Sequence, residues 1–192
     1  GVQGSGASSS GVAASADGRF VSFMSDAPNL VAGDTNGTYD VFVHDGETGV
    51  TERVSVDSNE QEGDQGPGLL NDSPALSGDG RTLAFLSAFN FPGANANKNT
   101  DFNGEIHLYK VGDTANLVTQ VTDTTGTAIV PQFTQFGVYV VNPTAPMNLL
   151  PYGTQPLSRD GSLMVFESAG NYGGNNADKT RELWLYNVAT KA

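Results

Sequence analysis

Three polar segments in this chain place oxygen-bearing side chains at short intervals. The first is GDTNGTYD, with Asp34, Asn36 and Asp40. The second is NTDFNGE, with Asp101, Asn103 and Glu105, and the third is NNADKTRE, with Asn176, Asp178 and Glu182. Alternating carboxylate and amide oxygens, a glycine that allows a sharp turn and a later carboxylate suit a hard cation such as Ca2+. Asp34, Asn36 and Asp40 are therefore the first candidate calcium ligands, and Asp101, Asn103 and Glu105 form a weaker second set. The loop length and flanking helices of an EF-hand are missing. In the third segment Lys179 and Arg181 lower the local negative charge. The same residue types also build ordinary hairpin loops by bonding their own backbone.

Other chemistry is sparse. His44 and His107 are the only histidines, and there is no cysteine, so thiolate metal sites and disulfides are excluded. A zinc site needs three or four convergent ligands, which two histidines do not supply. No G-x-S-x-G elbow marks a nucleophilic serine. No carboxylate pair stands out for glycoside hydrolysis. The glycine-rich stretches at 4–6 and 170–176 do not lead into helices, so they are not phosphate loops. No catalytic residue is assigned. The chain carries 21 acidic and 9 basic residues, a net charge of -12. Such a surface repels phosphate backbones and anionic membranes, which argues against a nucleic-acid partner. No apolar run is long enough to span a membrane as a helix. The opening GVQGSGASSSG has neither a charged leader nor an apolar core and reads as an internal loop or a mature N-terminus.

The elements that must position these loops come from a repeat. SADGRFVSFMSD begins at Ser15, SGDGRTLAFLSA at Ser77 and SRDGSLMVFESA at Ser158. Each Asp-Gly between apolar runs predicts a hairpin turn. A second apolar run follows each loop: DVFVHD from Asp40, EIHLYK from Glu105 and ELWLYN from Glu182. These alternate with bulky residues on both faces, the pattern of a sheet covered on both sides. A fourth strand is expected at 50–56 and at 117–123. Four antiparallel strands per unit, repeated, describe β-propeller blades. The units fall at about 11–56, 72–123 and 154–192, with an insertion at about 124–153, all within one domain. The repeat claims Ser15, Ser77 and Ser158 for the turns. It also places Phe42, Tyr109, Trp184 and Tyr186 between blades.

The pattern S-x-D-G-R followed by an aromatic-rich strand, a polar loop and an acidic-aromatic strand resembles the TolB-like β-propeller repeat. The resemblance covers most of the chain outside the insertion. It implies an all-β propeller of four-stranded blades. Such propellers close with more blades than the three recognisable here, so the resemblance implies a segment of a larger or multi-chain propeller. It further implies a non-catalytic scaffold, periplasmic or extracellular in a bacterium, with protein or glycan partners. The alternatives are an accessory domain of a larger secreted hydrolase and a propeller hydrolase or lyase in its own right. Phe89, Phe91, Phe133, Phe136, Tyr139, Tyr152 and Tyr172 lie in loops or the insertion and either form a binding surface or seal the rim.

Overall fold

The computed structural model describes residues 3–7, 12–57, 59, 61–63, 72–91, 99–113, 118–123, 156–168, 170–174, 176–177, 180 and 182–192. The insertion, with Phe133, Phe136, Tyr139 and Tyr152, lies outside the described residues. Two four-stranded antiparallel sheets are present. The first runs in the order β1 (Ala13–Ala14), β2 (Phe20–Ser25), β3 (Asp40–Asp45) and β4 (Thr51–Arg53). The second has the same order with β5 (Asp72–Leu76), β6 (Thr82–Ser87), β7 (Glu105–Lys110) and β8 (Thr119–Gln120). In the third unit β9 (Leu163–Ser168) pairs with β10 (Glu182–Asn187), and Leu157 bridges to Met164. A single 3-10 turn spans Tyr172–Gly174, and no α-helix occurs among the described residues.

The second and third strands of each unit occupy the segments expected from the sequence. The fourth strands are shorter than 50–56 and 117–123. Side-chain hydroxyls end their ladders: the amide of Val41 donates to Ser55 Oγ at 3.1 Å, and that of Ile106 to Thr122 Oγ1 at 2.9 Å. A hydroxyl that satisfies a strand amide removes the need for a further backbone partner.

The Ser-x-Asp-Gly turns share one bonding scheme. In the second unit Ser77 Oγ donates to Asp79 Oδ1 at 2.6 Å and accepts the Thr82 amide at 2.9 Å. Asp79 Oδ1 also accepts the Arg81 amide at 2.9 Å. Gly80 sits at φ 72°, where a side chain is strained. Consecutive turns are joined through the main chain: the Ala16 amide donates to Gly78 O at 2.8 Å, and the Asp79 amide to Arg159 O at 2.6 Å.

The strand register sorts each blade into two faces. Phe20, Met24, Val41 and Val43 of the first blade pack against Leu83, Phe85 and Tyr109 of the second. The opposite face of the second blade, with Ala84, Ile106 and Leu108, packs against Met164, Phe166, Trp184 and Tyr186 of the third. Each blade thus offers a mainly aliphatic forward face to the aromatic rear face of the next. At about 1.5–3 kcal/mol per fully buried large side chain, these interfaces dominate the stability of the stack. Of the aromatics expected between blades, Tyr109, Trp184 and Tyr186 are there, whereas Phe42, fully buried, stacks on Phe23 on the rear face of the first blade. Phe89 and Phe91 are buried in the first core cluster, and Tyr172 packs edge-on against Trp184 with ring centroids 4.9 Å apart. These three fill the structure and do not form an exposed patch.

Candidate functional site

The loop residues singled out in the sequence gather where β3 and β7 begin. The first strand residue is an acid, Asp40 or Glu105, and each is fully buried. A hydroxyl from the fourth-strand segment meets each acid. Ser55 Oγ donates to Asp40 Oδ1 at 2.5 Å, and Thr122 Oγ1 donates to Glu105 Oε2. These are the hydroxyls that cap the strand amides, so acid and hydroxyl together close the end of the sheet. Six residues before each acid stands a second buried polar residue: Asp34, Asn99 or Asn176. In the second and third units its amide spans the loop. Asn99 Nδ2 donates to Asn103 O at 2.8 Å, and Asn176 Nδ2 to Thr180 O at 2.7 Å.

The first blade departs from this scheme. It carries Asp34 where the others carry asparagine, and Arg53 where the register gives the second blade Gln120. Arg53 Nη1 stands 3.5 Å from Asp34 Oδ1, 3.4 Å from Asp40 Oδ2 and 2.7 Å from Glu62 Oε1. Its Nη2 donates to Gly33 O at 3.1 Å. The carboxylates of Asp34, Asp40 and Glu62 offer oxygens within 4.8 Å of one another. Three carboxylates around one guanidinium leave an excess of negative charge in a place where water is scarce. Burial pushes the pKa of Asp34 up, against the pull of Arg53, and Glu62 and Asp26 add repulsion. Burial also raises Asp40, offset in part by Ser55 and Arg53. For Glu62 burial acts upward, but the Thr35 amide and Arg53 outweigh it and hold the carboxyl below its usual range.

Of the predicted calcium ligands, Asp34, Asn36 and Asp40 are brought together, but protein groups engage them. Asn36 Nδ2 donates to Asp40 Oδ2 at 3.0 Å, and Asn36 Oδ1 accepts the Thr38 amide at 3.0 Å. In the second unit Asp101 is exposed, while Asn103 and Glu105 are buried. In the third, Asn176 is buried, Glu182 is exposed and Asp178 lies outside the described residues. Arg53 and Glu62 belong to the centre and were not among the sequence candidates. The contrast of Arg53 with Gln120 in otherwise matching strands is the signal that would have found Arg53; Glu62 has no such signal.

Beside this centre opens a cleft of about 860 Å³, lined by Thr35, Glu52, Arg53, Gln61, Glu62 and Tyr109 among others. Tyr109 Oη donates to Glu52 Oε1, a bond from the second blade to the first. The histidines lie apart. His44 Nδ1 is 2.9 Å from Thr51 Oγ1. His107 is fully buried, its ring stacked on Phe85 and edge-on to Phe91. Its Nδ1 lies 3.0 Å from Glu105 O, an acceptor, so this nitrogen carries the proton. Burial lowers the ring's pKa to about 3, which keeps it neutral.

No protein-family model and no curated protein sequence matches the chain. Among solved structures it is similar to TolB from Acinetobacter baumannii, at 16% identity and a TM-score of 0.43, over 95% of this chain and 30% of that one. A putative TolB from Agrobacterium tumefaciens matches at 20% identity and 0.44, over 91% of this chain and 44% of that one. The tricorn protease matches at 13% identity and 0.40, over 95% of this chain and 17% of that one. The chain spans less than half the length of each. Its own four-stranded antiparallel sheets, with their repeated Ser-x-Asp-Gly turns and stacked faces, make it a run of β-propeller blades.

Proposed function

We propose that this chain is a run of blades within a larger propeller and acts as a non-catalytic binding scaffold in an exported protein. The observation that carries the reading is the forward face of the third blade. Leu163, Leu183 and Leu185 are 37%, 58% and 64% exposed. Their repeat equivalents in the first two blades are covered by the aromatic rear face of the following blade. The same type of aromatic face is the natural cover for these leucines, from a further blade or another chain. Export and a protein or glycan partner follow from the TolB-like resemblance. The acidic surface and the open cleft beside Glu52 and Glu62 fit a partner that is not a polyanion.

The test is a concentration series by sedimentation velocity. The wild-type chain should self-associate through the leucine face. Leu183→Lys with Leu185→Lys should render it monomeric without changing its far-UV circular dichroism, because both side chains already face water. A wild-type chain that stays monomeric at every concentration would sink the assembly reading. Turnover of peptide, ester or glycan substrates by the full chain would replace the scaffold with an enzyme.

A further inference from the structure

The loop joining β2 to β3 in the first blade contains two acids that the repeat does not call for. Asp26 follows β2 directly, and Asp34 precedes β3 by six residues. The second blade has Ala88 and Asn99 at these positions. Asp26 Oδ1 and Asp34 Oδ2 are both enclosed and, among the described residues, have no hydrogen-bond partner. The Asp34 side chain is only 2% exposed.

Exchanging asparagine for aspartate here has a definite chemical consequence. Asn99 and Asn176 donate an N–H to a loop carbonyl, and a carboxylate has no proton to donate. The first blade therefore gives up a bond that the other two keep, and gains a buried negative charge. Arg53 answers that charge on Oδ1 alone, at 3.5 Å, and Arg53 is already shared with Asp40 and Glu62. The Oδ2 side is left to something else. Asp26 Oδ1, in the same loop, is likewise enclosed and unpartnered among the described residues, and a cation between the two carboxylates would answer both.

We propose that Asp26 and Asp34 hold a hard divalent cation of the calcium class in this loop, through Asp26 Oδ1 and Asp34 Oδ2. Carboxylate oxygens without nitrogen or sulfur donors select this class, and Ca2+ tolerates an irregular shell completed by water and carbonyls. Arg53 stays on the Oδ1 side, so guanidinium and metal do not compete for one position. Asp40 and Glu62 contribute negative potential from behind Arg53. Asn36 and Asp40, paired with each other, are not ligands in this arrangement.

The experiment uses the full chain in chelator-treated buffer, titrated with CaCl2 by calorimetry and followed by thermal unfolding. Wild type should bind one equivalent and show a Tm that rises with calcium, with a clearly smaller rise at equal MgCl2. Asp34→Asn restores the residue of the other two blades, so it should fold, match or exceed the wild-type Tm without calcium, and lose the calcium-dependent rise. Asp26→Ala, the residue of the second blade, should weaken binding at least tenfold. Asp101→Asn, at an exposed acid of the second blade, should leave it unchanged. Absence of both heat and Tm shift in the wild type overturns the proposal, whatever the variants do. So does Asp34→Asn binding calcium within twofold of wild type, or an equal response to Mg2+, which marks general screening.

Discussion

The three Ser-x-Asp-Gly turns make the same bonds in different surroundings, which isolates the effect of burial. Ser77 is fully buried, and its hydroxyl both donates to Asp79 and receives the Thr82 amide. Ser77→Ala removes both bonds and strands the amide of Thr82, a residue at 0% exposure. A bond to a carboxylate and an orphaned buried donor each cost about 1–3 kcal/mol, so about 3 kcal/mol is expected. Ser158 donates to Asp160 Oδ1 at 2.7 Å and receives the Leu163 amide at 3.0 Å, but this turn faces water. There Ser162 Oγ also donates to Asp160 at 2.7 Å, and water replaces the lost hydroxyl. Ser158→Ala should cost about 1 kcal/mol or less. Urea unfolding followed by circular dichroism reads the difference. With a slope of about 2 kcal/mol per molar urea, the midpoint should fall by about 1.5 M for Ser77→Ala and by about 0.5 M or less for Ser158→Ala. Equal shifts would refute the reasoning, because bond chemistry and not enclosure would then set the cost.

Two further substitutions test buried charge. Arg53→Gln, which copies Gln120 of the second blade, leaves Asp34, Asp40 and Glu62 without their cation. It should cost about 3–5 kcal/mol in urea unfolding at pH 7 in calcium-free buffer, and adding Asp34→Asn should recover part of that loss. An Arg53→Gln variant as stable as wild type would show that the cluster carries little charge. His107 should impose an acid sensitivity. Its folded pKa is lowered to about 3 from an ordinary 6.5, so as pH falls the unfolded chain takes up the proton first. The stability this neutral ring contributes is complete above about pH 6.5 and is lost progressively toward pH 3. Between pH 7 and pH 5 the loss is about 2 kcal/mol. His107→Phe, the residue at the equivalent Phe42 of the first blade, should remove that slope from a pH series of unfolding midpoints.

The second and third strands were legible because alternating bulky residues on both faces leave no other element that buries them. Strand four was read too long, since Ser55 and Thr122 look like strand residues until their hydroxyls are seen to end the ladder. Asp34 and Asp40 stood out through loop composition. Arg53, Glu62 and Asp26 did not, because they meet only through strand register and the return of separate loops. Position-by-position comparison of the units would have flagged all but Glu62: Asp26 against Ala88, Asp34 against Asn99 and Arg53 against Gln120 each break the repeat at a buried place. The fate of Phe89 and Phe91 was equally hidden, since a loop aromatic folded inward has the same sequence as one left outside.

The main-chain bonds from one turn to the next, Ala16 to Gly78 and Asp79 to Arg159, work together with glycines that leave no room for a side chain. A Cβ on Gly80 would collide with Phe20, and one on Gly161 with Thr82, whereas Gly18, with no blade before it among the described residues, has nothing within 4 Å. Pitch between blades is thus fixed by atoms that every residue type shares and by the absence of one carbon. The facing side chains need only occupy the volume that remains. That is how Phe20, Thr82 and Leu163 can hold the same position in successive units. Such a stack can vary almost all side-chain identity from blade to blade and still keep its spacing, provided each turn keeps its Ser, Asp and Gly.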